Sequence, residues 1–86
     1  MTLVINLHYK EDYQLDRLYQ VEGELHSSLR AYRHHGITTT FLEEGRRELV
    51  ITDLNISLRN FVLSFLKIRD IIFDTEEQTE EGHVVH

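Results

Sequence analysis

Glu22 is the residue in this chain whose setting most invites chemistry. It falls inside an apolar arc made by Leu18, Leu25 and Leu29. A carboxylate held among apolar side chains has a raised pKa and suits acid–base work. His26 lies about 40° around the same helix, so the two can line one cleft. With His8 nearby, they define the small-ligand pocket that this reading expects. The competing expectation is structural. The arc is wide, and Glu22 either reaches solvent or pairs with an arginine, because a buried carboxylate without a partner is costly.

The other candidates are weaker. Six histidines include the adjacent His34 and His35 and the spaced pair His83 and His86. A metal ion needs donors converging at about 2 Å. His34 and His35 more simply complement the negative end of a helix, and nothing around His83 makes that segment helical. No metal and no cofactor is expected. The chain has no cysteine, which excludes disulfides, zinc-thiolate sites and a thiol nucleophile. It has no glycine-rich phosphate loop, serine elbow or paired-carboxylate motif. The balance leans away from an enzyme.

Nucleic acid is not an expected partner. The formal charge is −6, and five of the acids (Asp74, Glu76, Glu77, Glu80, Glu81) stand in the last thirteen residues. The remaining body is near −1 and lacks a broad positive field. Its clustered basic residues also fall at two separate places, the end of the first helix (Arg30, Arg33) and a hairpin tip (Arg46, Arg47). The open-face positions Val4, Asn6, His8, Glu48, Val50 and Thr52 offer no aromatic platform for bases. Apolar runs fall far short of the roughly 20 residues of a membrane span. No signal peptide is read at the start, and a cytoplasmic home is expected.

The elements that must hold these residues follow the order β-α-β-β-α-β. Leu3, Ile5 and Leu7 alternate with Thr2, Val4, Asn6 and His8, as in a strand with one face on a core. A helical arc follows from about Glu11 through Leu15, Leu18, Val21, Leu25 and Leu29, with Gly36 expected as its left-handed stop. Gly23 sits mid-helix, and the stretch would measure about 36 Å beside a strand of about 26 Å. The helix therefore overhangs the sheet or breaks at Gly23. Two β-branched runs joined across Gly45 read as a hairpin. A second helix over about Asn55 to Arg69, N-capped by Asp53 or Asn55, shows a core stripe of Leu58, Phe61, Val62, Phe65 and Ile68. Ile71-Ile72-Phe73 reads as the last strand.

Few compact folds accommodate this order, and the ferredoxin-like split βαβ is the commonest. The expectation is one α+β domain over residues 1–74. Its four-stranded antiparallel sheet has the order 4-1-3-2, with both helices on one face. Residues 75–86 form an acidic tail that cannot bury enough surface to offset its ordering entropy. Ile56, Leu63 and Leu66 fall outside the core stripe of the second helix. Exposed apolar residues on so small a domain suggest a partner. The functional expectation is thus a protein–protein interaction or regulatory module acting as a homodimer. A ligand-binding protein or enzyme with a pocket around Glu22 and His26 is the alternative.

Overall fold

The computed structural model describes residues 1–34, 36–78 and 84–85. Strand β1 (Thr2–His8) leads to helix α1 (Asp12–Ala31), then strands β2 (Ile37–Glu43) and β3 (Arg46–Ile51). Helix α2 (Ile56–Ile68) and strand β4 (Phe73–Gln78) complete the β-α-β-β-α-β order. The sheet runs β2-β3-β1-β4, every pair antiparallel, in the ferredoxin-like arrangement. A two-residue strand β5 (Val84–Val85) adds to the outer edge of β4, with Glu77 opposite Val85.

Period-two alternation sets the core. Leu3 pairs with Ile51 and Ile5 with Leu49, all turned to the helices and at most 1% exposed. Against them lie Leu18, Val21, Leu25 and Leu29 of α1 and Val62, Phe65 and Leu66 of α2. Leu66 is completely buried, which corrects its expected place on the partner-facing side of α2. It lies about 40° from Val62 at 100° per residue, so it belongs to the core stripe. Ile68 is the reverse case. Expected in the core, it lies about 120° from Val62 and is 78% exposed.

Helix α1 is continuous through Gly23, where a Cβ would meet nothing within 4 Å. Twenty residues span about 30 Å over a seven-residue strand of about 23 Å, so α1 overhangs the sheet. Its stop comes before Gly36. Arg33 takes the left-handed position (φ 61°), Arg33 N–H donates to the Arg30 carbonyl and His34 N–H to that of Leu29. This pair of bonds is a Schellman closure. Gly36 serves close approach instead. Its carbonyl accepts from Thr52 N–H at 2.8 Å, and a Cβ there would overlap the Thr52 hydroxyl. Helix α2 starts at Asn55, whose side chain accepts from Leu58 N–H at 2.8 Å. It ends in the same closure, with Asp70 at φ 56° and Ile71 N–H on the Leu66 carbonyl.

Strand β4 begins at Phe73 rather than Ile71 and runs past Asp74 to Gln78, so the sheet takes in the first part of the acidic segment. Gln78, Glu77, Glu76 and Thr75 pair in turn with Thr2 to Ile5. Glu77 faces the helices and forms an ion pair with Arg59 of α2. The rest of the expected tail, save Val84 and Val85, lies outside the described residues.

Candidate functional site

The structure assigns Glu22 a partner. Arg47, on the helix-facing side of β3, donates from Nε to Glu22 Oε1 at 2.8 Å and from Nη2 to Oε2 at 3.0 Å. Both side chains are at most 10% exposed. The Tyr19 ring, one turn before Glu22 on α1, lies under the guanidinium at 4.5 Å, a cation–π contact. The hydrogen bond that Arg47 donates to Glu22 raises the Arg47 pKa above its ordinary value and outweighs the opposing effect of burial. With both oxygens in a charge-assisted fork, this carboxylate is a structural anchor between α1 and β3.

The three residues expected to share a pocket do not share one. His26 is half-buried on α1, and no hydrogen bond joins it to Glu22 among the described residues. Leu7 pairs with Arg47 and His8 with Arg46. Successive strand residues face opposite sides of the sheet, so the pleat turns His8 away from the face that carries Glu22. His8 Nε2 instead meets Asp74 Oδ2 of β4 at 2.9 Å. Of the residues expected on the outer flank of α2, Ile56 is 66% exposed, and Leu63 is half-buried against the core.

A different concavity occurs at the end of the domain where β1 passes into α1. A cleft of about 410 Å³ is lined by His8, Tyr9, Lys10, Gln14, Gly45 and Ile72. Three chain segments build it. Tyr9 N–H donates to the Gly45 carbonyl at 3.0 Å, tying β1 to the hairpin turn. His8 N–H donates to the Ile72 carbonyl at 3.1 Å, tying it to the segment entering β4. Gly45 has φ 88°, and a Cβ there would crowd the Tyr9 carbonyl at 3.2 Å. Glycine is needed here for both conformation and space. Gln14 Oε1 accepts from Lys10 N–H at 2.7 Å and Glu11 N–H at 3.0 Å, closing the first turn of α1. A smaller pocket of about 80 Å³ adjoins it, lined by Arg17, Leu18, Asp70 and Ile71 together with His8, Gln14 and Ile72.

Sequence reasoning missed this cleft. Its one local signal is Gly45, whose hairpin turn this topology brings beside the end of β1. Ile72 was assigned to a strand, yet it is 68% exposed at the cleft. A second concavity of about 320 Å³, lined by Tyr32, Asn55, Ser57, Leu58 and Phe61, lies between the end of α1 and the start of α2. Among the described residues no group of three or more His, Cys, Asp or Glu is placed to hold a metal ion, and no helix is long and apolar enough to cross a membrane. His35, His83 and His86 lie outside the described residues. Compared with models of known protein families and with curated protein sequences, the chain matches none.

Proposed function

We propose that this chain is a non-catalytic interaction module that works as a homodimer, pairing through the outer side of α2. The observation that carries the reading is the make-up of that side. Ile56 and Ile68 are 66% and 78% exposed, and Ser57, Asn60, Ser64 and Lys67 lie around them. In a chain of net charge −6, α2 contains no carboxylate, whereas α1 contains Asp12, Asp16, Glu22 and Glu24. Two copies of α2 can approach without acid facing acid, and short polar side chains let the backbones come close.

Magnitudes set the strength. Burying the exposed part of each isoleucine contributes about 1–2 kcal/mol, so four in a dimer give about 4–8 kcal/mol. Association costs about 4–15 kcal/mol in lost freedom. With Leu63 adding its exposed fraction, the dimer is expected to be weak, with a Kd of tens of micromolar or looser. Glu22 adds nothing to a ligand-pocket alternative, because its carboxylate is already committed to Arg47. A cytoplasmic location belongs to the same proposal, since the chain has no cysteine to pair in an oxidising compartment.

Sedimentation equilibrium from about 10 to 500 μM, spanning the range in which such an interface forms, is the test. The wild type should move from monomer toward dimer, and Ile56→Glu with Ile68→Glu should stay monomeric with an unchanged unfolding curve at low concentration. A wild type that remains monomeric throughout refutes the reading.

A further inference from the structure

The cleft at the end of β1 has the composition of an anion site. None of its lining residues is a carboxylate. Three acids of this end of the domain are paired, Asp74 with His8 at 2.9 Å, Glu43 with Arg46 at 3.4 Å and Glu22 with Arg47. Lys10 has no ion-pair partner among the described residues, and the Gln14 amide uses its oxygen on the backbone while its NH₂ donates to no described group. Tyr9 and Ile72 add an aromatic and an aliphatic surface to these donors, and Ile72 is left 68% exposed. A concave site with apolar walls and a few convergent donors is the usual form of a small-molecule site.

We propose that this cleft binds a small organic monocarboxylate, its charge met by Lys10 and the Gln14 amide and its apolar body set against Ile72 and Tyr9. One ammonium balances one negative charge. A phosphate dianion would leave a charge uncompensated beside Glu11, Glu44 and Asp70, which neighbour the cleft in the chain without lining it. The inference goes beyond the dimer reading and uses none of the outer residues of α2, so either can fail alone.

The test is amide chemical-shift titration of the full chain with 3-phenylpropionate, butyrate and inorganic phosphate, with 3-phenylpropanamide as the neutral control. A ligand of this size is expected to bind with Kd on the order of millimolar. The carboxylates should shift the amides of residues 8–14, 45 and 72 saturably, and the neutral amide should not. Lys10→Gln should weaken binding about tenfold, the loss of one charge-assisted contact. Ile72→Ser should weaken 3-phenylpropionate more than butyrate. Both side chains are exposed, so an unchanged spectrum without ligand certifies the fold. No saturable shift by about 20 mM, well above the expected Kd, overturns the proposal. So does binding indifferent to Lys10→Gln, shifts centred elsewhere, or phosphate binding tighter than either carboxylate.

Discussion

Replacing Arg47 by Met should leave Glu22 as a buried carboxylate without a partner. The pair is at most 10% exposed on either side, and both carboxylate oxygens accept from the guanidinium. Breaking such a pair costs about 3–5 kcal/mol. A domain of this length has a stability of about 4–13 kcal/mol in all, so the single substitution should remove a large fraction of it. At about 4–8 °C per kcal/mol, the melting temperature should fall by 12 °C or more. The double replacement Glu22→Leu with Arg47→Met removes both charges at similar volume and should recover most of the loss. The assay is urea unfolding followed by circular dichroism for the wild type, both single variants and the double. An Arg47→Met loss below about 1 kcal/mol, or a double variant as unstable as the sum of the singles, would refute the anchoring role. The pH dependence has a definite sign. Arg47 is raised by its bond to Glu22, so its contribution is complete at neutral pH and is lost only as pH rises beyond the ordinary arginine range. The difference between wild type and Arg47→Met should therefore not decline from about pH 7 to 10.

Three further perturbations test the fold. Gly23→Ala meets open space in the middle of α1 and should raise stability by about 1 kcal/mol, read by thermal unfolding. Asp70→Gly relieves a left-handed non-glycine residue at the end of α2 and should stabilise by up to about 1 kcal/mol; a loss would mean that the Asp70 side chain holds the turn. Ending the chain at Asp74 removes the pairing of Thr75–Gln78 with β1 and the Arg59–Glu77 ion pair. Four cross-strand pairs are worth about 0.2–1 kcal/mol each, so the melting temperature should drop by several degrees relative to a chain ending at Gln78. An unchanged value would show that β4 beyond Asp74 contributes nothing.

What was legible in the sequence was periodic. Leu3, Ile5 and Leu7 announce their face of β1 by alternation, and Leu18, Leu25 and Leu29 announce theirs by helical spacing, so element order and sheet order follow from short-range pattern and the rules of connection. What escaped depends on tertiary placement. Gly36 was the best local candidate to end α1, but Thr52 lies too close for any side chain there, and Arg33 takes the left-handed position despite its cost. The polar run Thr75 to Gln78 resembles a tail because β4 is near the edge of the sheet, where backbone pairing with β1 holds it with little apolar burial.

The candidate sites divide along the same line. Glu22 and Arg47 are 25 positions apart, so nothing local tells a catalytic carboxylate from half of an ion pair. The arginine that neutralises Glu22 was visible only as part of a basic hairpin tip. The pleat then decides the roles of neighbours in the chain. Arg47 turns inward and anchors α1, while Arg46 and His8 turn to the other face and pair with Glu43 and Asp74. Each of these pairs removes a carboxylate from competition for cations at this end of the domain. Lys10 is left as an uncommitted charge beside a cleft with apolar walls. Binding capacity at this end thus follows from which charges the fold has already matched, and neither composition nor periodicity records that.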